Sequence, residues 1–305
     1  MRTRHLTSSA CALLLTAGLA ACGQTGDGPA ATDAANNQPA PSAPAQLSPS
    51  ERASRLQVWR TATYGKDASA DQAWRDRDNN RPLHRYQCLD EAVEIAGIQH
   101  SLLAVCANRD DAAADETGLL DLWLLRADAN GGLQTVDGRR GITLGSGGVV
   151  GELSLVALGP GTPGVAIQAG VGDANQAMQG ETVLVAVHQD QLRQVARFAS
   201  HYDNQAQLQC EDAPDADAPG QDNATDDSER AAPATAVAGA DCEAGLRQLR
   251  TTWQADSSGL RDGFWPLLLA HSGVACGSAV MRNLRLDYDP AQRHYPTPDL
   301  DNRCP

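Results

Sequence analysis

The chain is poor in aromatic residues and lacks the short motifs that mark many catalytic and metal sites. Its 305 residues include only two Phe, five Tyr and five Trp, so aliphatic side chains and alanine must form most of its core. It has no CxxC or paired CxxH spacing, which argues against a zinc site. It also has no GxSxG, which argues against the nucleophile elbow of a serine hydrolase. We therefore expect neither a metal nor a cofactor.

A glycine-rich stretch at residues 145–148 is the closest approach to a ligand-binding loop. A phosphate-binding loop follows a strand, opens a helix and usually carries a lysine. Here no lysine is near, and Val149, Val150 and the run 153–158 are typical of a strand. We interpret the stretch as a β-turn.

The first residues of the chain have the pattern of an export signal. Arg2 and Arg4 give a basic start, and residues 10–21 are apolar or small except for Thr16. Such a run is too short for a permanent membrane-spanning helix, and it ends in small residues. We expect residues 1–21 to be removed as a signal peptide.

The end of that run, Leu19-Ala20-Ala21-Cys22, resembles the lipobox of bacterial lipoproteins. The resemblance implies cleavage before Cys22, a lipid such as palmitate on its sulfur, and acylation of the new amino terminus. Each buried methylene contributes about 0.8 kcal/mol, so two or more acyl chains hold a protein firmly on a membrane. Gly23 stands where an aspartate would retain such a protein at the inner membrane, so the resemblance implies an outer-membrane anchor facing the periplasm.

An excess of acidic residues restricts the partners that the chain can bind. The formal net charge of −14 becomes −16 when Arg2 and Arg4 leave with the signal. Such an excess repels nucleic-acid phosphates, so we expect no nucleic-acid partner. It favours a cationic protein or another envelope component.

Six cysteines remain once Cys11 is removed and Cys22 carries lipid. In an exported chain such a set predicts three disulfides. We expect the pairs that bracket a hairpin or a single excursion, which are Cys88–Cys106, Cys210–Cys242 and Cys276–Cys304.

Two low-complexity segments divide the mature chain. Residues 22–47 are rich in Gly, Pro, Ala, Asn and Gln, and we expect them to form a flexible tether. Residues 211–241 contain nine acidic residues and one arginine, which predicts a disordered acidic excursion. The excursion partly imitates a calcium loop, but a proline occupies one ligand position and its last ligand is not glutamate. The remaining chain, residues 48–305, is predicted to form one disulfide-bonded domain.

The pattern of apolar and turn residues in this domain predicts a mainly β fold of antiparallel hairpins, forming a sandwich or a propeller-like meander. Short apolar runs alternate with Gly, Asp, Asn and Pro, for example around residues 128–132 and 159–164. One or two short helices precede them: Ser48-Pro49-Ser50-Glu51 starts a helix to about Thr61, and residues 71–77 could form a second helical turn. Both Trp59 and Trp74 are expected in the core, although their neighbouring arginines would also suit a carbohydrate-binding face.

Candidate catalytic groups are scattered, so the sequence favours no enzyme class. The cluster His201-Tyr202-Asp203 is the most titratable one, and it could supply a base or a ligand. We therefore expect a lipid-anchored, non-catalytic binding or structural module of the cell envelope. Two alternatives remain open: an envelope hydrolase whose site is assembled from distant strands, and an inhibitor of a cationic lytic enzyme.

Overall fold

The computed structural model describes residues 46–78, 81–172, 177–208, 242 and 244–298, all within the unit Ala43–Pro305. The predicted mainly β fold is confirmed, because two antiparallel sheets account for most of these residues. The arrangement is sandwich-like. The signal peptide, most of the tether and the acidic excursion lie outside the described residues, so those expectations remain predictions.

The first sheet contains five strands in sequence order, each antiparallel to the next. This order means that the chain builds the sheet by successive hairpins. The strands are β1 (Trp74–Asp78), β2 (Arg81–Ile95), β3 (Ile98–Asn108), β4 (Gly118–Ala127) and β5 (Leu133–Leu144).

The second sheet contains seven strands, again ordered as in the sequence. A four-residue helix, α2 (Gln205–Leu208), and the acidic segment separate its fourth strand from its fifth. The strands are β6 (Glu152–Gly159), β7 (Thr162–Gly172), β8 (Met178–His188), β9 (Gln191–Asp203), β10 (Arg247–Ala255), β11 (Leu267–Ala275) and β12 (Ser278–Leu286).

The two sheets share an aliphatic core. β3 and β4 contribute side chains such as Leu102 and Leu122, and β7 and β8 contribute Ile167 and Val185, all of them buried. Because successive residues of a strand point to opposite faces, each strand gives only alternate side chains to this layer. Few aromatic residues take part, as the composition predicted.

The outer face of each sheet is also covered. Helix α1 (Pro49–Tyr64) lays Leu56 and Trp59 on the outer face of the first sheet, next to Trp74. The second sheet curls, so that β11, Phe264 and Tyr288 pack over the outer face of β8 and β9. The expected burial of both indoles is confirmed, since Trp59 is 9% exposed and Trp74 5% exposed.

Local sequence sets the start of α1. The Ser48 hydroxyl accepts from the Glu51 backbone N–H, the Glu51 carboxylate accepts from the Ser48 N–H, and Pro49 opens the helix. This is the capping box that the sequence predicted.

The second predicted helical turn, residues 71–77, is wrong: Trp74–Asp78 forms the edge strand β1 and pairs with β2. Strand pairing over five residues outweighed a weak local helix signal.

Cys88 and Cys106 form the predicted disulfide across β2 and β3, with a Cα–Cα distance of 5.7 Å. Cys88 lies where the register shifts between Gln87 and Leu89. The bulge breaks the regular pairing and brings Cys88 beside Cys106, although Cys106 is paired with Tyr86. The bond therefore pins the register of the first long hairpin.

Candidate functional site

A groove of about 520 Å³ opens at the edge of the sandwich, where β5 is the last strand of the first sheet. Its volume falls within the range of small-molecule sites, roughly 300 to 1,000 Å³. Aliphatic residues from both sheets form its interior: Ile142 and Leu144 from β5, and Ile167, Val183, Val185 and Leu192 from the second sheet. Ile142 is partly buried, and the other five belong to the shared core and are at most 5% exposed.

Three arginines line the same groove: Arg139 on β5, Arg193 on β9, and Arg293 in the turn after β12. None of them has a carboxylate within 4 Å among the described residues. Arg193 donates only to the side-chain oxygen of Gln191. Eight other arginines do lie within ion-pair distance of acidic side chains, namely Arg52, Arg81, Arg85, Arg109, Arg126, Arg140, Arg197 and Arg285. We name this site, with its aliphatic interior and three arginines, the arginine groove.

The turn between β8 and β9 positions the polar residues at the start of β9 that line the groove. Gln189 and Asp190 both adopt left-handed backbone angles, with φ of 51° and 58°, as in tight hairpin turns that match strand twist. The carboxylate of Asp137 on β5 accepts from the backbone N–H of Leu192 at 2.7 Å. This contact joins the two sheets beside the groove and fixes the start of β9.

Two buried tyrosines hold Arg293 in place. Tyr295 donates its backbone N–H to the carbonyl of Val195 at 2.7 Å and its hydroxyl to the carbonyl of Trp265 at 2.6 Å. Tyr288 stacks on Phe264, with ring centroids 3.9 Å apart. A bridge between Asp289 and His294 closes the turn that contains Arg293. It brings Arg293 next to β9.

A buried polar cluster around Asp121, in contrast, forms its hydrogen bonds within the protein. Asp121, 1% exposed, accepts from the Tyr64 hydroxyl at 2.9 Å, the Arg85 guanidinium at 3.0 Å and the Gly141 backbone N–H at 2.7 Å. The Trp123 indole N–H donates to the Tyr64 hydroxyl at 2.6 Å. Burial, with the charge of Asp121, raises the pKa of Tyr64. These bonds join the buried groups of the cluster to one another, so we regard it as structural.

The cluster His201-Tyr202-Asp203 does not form a catalytic dyad. The Asp203 carboxylate accepts from the Gln205 backbone N–H at 2.9 Å and from the Gln248 amide at 3.2 Å. His201 borders a separate cavity of about 540 Å³, together with Ser200 and Thr251. In this cavity wall, Thr251 lies 2.9 Å from the imidazole of His271, and both residues are 5% exposed.

Two further cysteines of the predicted disulfides lie within the described residues. Cys242 and Cys276 are each disulfide-bonded, whereas Cys22, Cys210 and Cys304 lie outside the described residues. The pairs Cys210–Cys242 and Cys276–Cys304 therefore stay predictions.

Within the described ranges, no group of three or more His, Cys, Asp or Glu side chains is placed to hold a metal ion. Neither helix there has the length and apolar character to cross a bilayer.

Sequence reasoning missed the arginine groove. Each arginine sits in an ordinary local context, on a strand or in a turn, and no spacing connects positions 139, 193 and 293.

No protein-family model, curated protein or solved structure matches this chain.

Proposed function

We propose that the chain is a lipid-anchored protein of the cell envelope that binds a partner without transforming it, and that the arginine groove is its binding site. The observation that carries the proposal is the convergence on one groove of three arginines that have no carboxylate of the described residues within 4 Å. Binding sites are typically apolar clefts with a few polar groups that orient the ligand. The lipobox pattern at Cys22 supports the envelope location, and the Cys88–Cys106 disulfide fits an oxidising compartment.

Mass spectrometry of the protein purified from envelopes tests the anchor. We expect a mature chain that begins at Cys22 and carries the mass of a diacylglycerol and an amide-linked acyl group. A Cys22→Ala variant should leave the membrane fraction. An unmodified Cys22 thiol in the wild-type protein contradicts the anchor and the location together.

Compounds that co-purify with the protein test the binding site. Ile142 is half-buried in the groove wall, and Ile142→Trp should fill the groove without touching the anchor. Solvent extraction of both proteins should release a component from the wild type that is missing from the variant, while circular dichroism confirms that both are folded. Identical extracts from two folded proteins would count against the groove.

A hydrolase remains the second candidate because of one observation, the Thr251–His271 contact at the wall of the His201 cavity. A hydroxyl within hydrogen-bond reach of an imidazole is the minimal arrangement for nucleophilic catalysis. A screen on esters, glycans and phosphates should show no turnover by the wild type if the binding proposal holds. Turnover that is lost in both Thr251→Val and His271→Gln would establish the hydrolase instead.

Inhibition of a cationic lytic enzyme requires a different surface from the groove. The three arginines of the groove repel a cationic partner, whereas residues 211–241 supply a charge of the correct sign. A partner captured from envelope extracts and released by moderate salt would favour this role, since salt screens contacts between exposed charges.

A further inference from the structure

Strands β9 and β10 separate soon after they meet. They pair through only three residues of each strand, and the last pair is His201 with Arg250. By contrast, β10 pairs with β11 over nine residues. Beyond the last pair, Ser200 and Thr251 are no longer joined in the ladder. A gap therefore opens in the second sheet, and the cavity of about 540 Å³ that His201 borders lies there.

A β-bulge between β8 and β9 shapes one side of this gap. The register shifts next to Gly180, which pairs with His201, and leaves Ser200 as the extra residue of β9. A Cβ atom at position 180 would lie only 3.2 Å from the Ser200 hydroxyl oxygen, so glycine makes room for the bulge. Bulges are frequent next to functional sites, where they redirect a side chain. Here the bulge places Ser200 in the cavity wall.

The accessible wall of the cavity combines carboxamide, hydroxyl and indole groups. Gln168 is exposed, and Ser200 and Trp253 are half-buried, so each presents surface to a ligand. Among the described residues, none of these three side chains has a hydrogen-bond partner. No aspartate or glutamate of the described residues lines the cavity, and its one arginine, Arg250, is exposed.

A buried hydroxyl group in the same wall also lacks a partner. Thr182 on β8 is 1% exposed, and its hydroxyl forms no hydrogen bond with any described residue. The oxygen stays accessible from the cavity. The hydroxyl of Thr251, in contrast, is already engaged with the imidazole of His271 at 2.9 Å. Since buried polar groups in proteins are normally hydrogen-bonded, the Thr182 hydroxyl points to a ligand.

This combination of groups matches the chemistry of a sugar ring. Hydroxyl and carboxamide groups both donate and accept hydrogen bonds, as the hydroxyls of a sugar do. The indole of Trp253 has a flat apolar body and a polar N–H, which suits the C–H face of a pyranose ring. The volume of about 540 Å³ also lies within the range of small-molecule sites.

From these observations we propose that this cavity binds a sugar ring of a glycan. The ring lies against Trp253, while Gln168, Thr182 and Ser200 form hydrogen bonds with its hydroxyls. The cavity shares no lining residue with the arginine groove, so this second site goes beyond the proposed function. Binding here needs no chemistry from Thr251 or His271.

Screening of the mature chain that carries Cys22→Ala on a glycan array tests the proposal. We expect at least one glycan to bind. The double variant Gln168→Ala/Thr182→Val should bind that glycan at least about tenfold more weakly, because two hydrogen bonds are lost. Absence of any bound glycan overturns the proposal, and so does equal affinity of the double variant and the wild type.

Thermal unfolding distinguishes a ligand contact at Thr182 from a structural role. Thr182→Val should keep or raise the melting temperature, because the hydroxyl has no partner within the described fold. Thr251→Val is the matched control and should lower it, since its contact with His271 is lost. Equal lowering in both variants would make the Thr182 hydroxyl structural and overturn its assignment to a ligand.

Two changes outside the cavity separate this inference from the proposed function. Ile142→Trp fills the arginine groove, and Thr143→Val alters an exposed threonine of β5. Both variants should bind the glycan like the wild type, whatever the extracts show about the groove. Loss of glycan binding in Ile142→Trp would move the glycan to the groove and overturn this inference alone. Inorganic phosphate, the ligand that Arg250 by itself would favour, should not displace the glycan, and displacement overturns the assignment to a sugar.

Discussion

Asp121 shows how one buried side chain can be costly to change and yet have no part in ligand binding. Its carboxylate accepts from three donors, and a fourth group, the Arg140 guanidinium, lies 3.7 Å away. Arg140 also lies over the rings of Tyr64 and Trp123, at 5.5 and 5.8 Å from their centroids. The cluster joins the end of α1 to β4 and β5 by charge as well as by packing.

We predict that Asp121→Asn lowers the free energy of unfolding by about 1.5 to 3 kcal/mol, the value of hydrogen bonds to a charged group. The buried Arg85 would lose one charged partner and keep only the partly exposed carboxylate of Asp76. Urea denaturation followed by tryptophan fluorescence measures the loss.

Asp111→Asn is the matched control for this change. Asp111 pairs with Arg81 at 3.1 Å on the surface, where its side chain is 62% exposed, and an exposed pair contributes at most about 1 kcal/mol. Equal losses in the two variants would show that the Asp121 cluster is not the buried network described above.

At the scale of elements, α1 depends on its first turn for correct placement. The helix connects the predicted tether to the first sheet, and Leu56 and Trp59 are its main contacts with that sheet. Its capping box satisfies two backbone donors that would otherwise face water or remain unpaired.

We predict that Ser48→Ala lowers the free energy of unfolding by about 0.5 to 2 kcal/mol, because the cap oxygen is lost. Ser48→Asp should stay close to the wild type, since aspartate caps a helix as well and favours its positive end. Differential scanning calorimetry of both variants provides the measurement. A loss of stability in Ser48→Asp equal to that in Ser48→Ala would contradict a capping role.

For the whole molecule, two buried histidines couple folding to pH. His100 is 2% exposed and His271 is 5% exposed. Burial is the main cause that lowers the pKa of each from 6.5, with Arg126 acting in the same direction on His100 and Arg282 on His271. A backbone carbonyl and Asp190 partly oppose the shift at His100.

We predict that stability falls as the pH drops below about 6.5, where the unfolded histidines take up protons and the folded ones do not. The free energy of unfolding should rise with pH up to that value and then level off. Thermal unfolding between pH 5 and 7.5 tests this, with the double variant His100→Gln/His271→Gln as the reference. Parallel pH profiles for the two proteins would assign the dependence to other groups.

Local patterns in the sequence determined much of the architecture. The capping box, the glycine and aspartate turns and the short apolar runs each depend on neighbouring residues, so the start of α1 and the antiparallel hairpins could be predicted. The Cys88–Cys106 bond followed from the same logic, because both cysteines lie on one hairpin. The predicted lipobox at Cys22 likewise depends on four adjacent residues.

The tertiary structure alone decided what brings distant segments together. Trp74–Asp78 forms a strand because it pairs with β2, and this pairing outweighs its weak local helix propensity. The arginine groove exists because β5, β9 and the turn after β12 meet at one edge of the sandwich. Positions 139, 193 and 293 share no local pattern, and only packing of the sheets around a common core makes them neighbours.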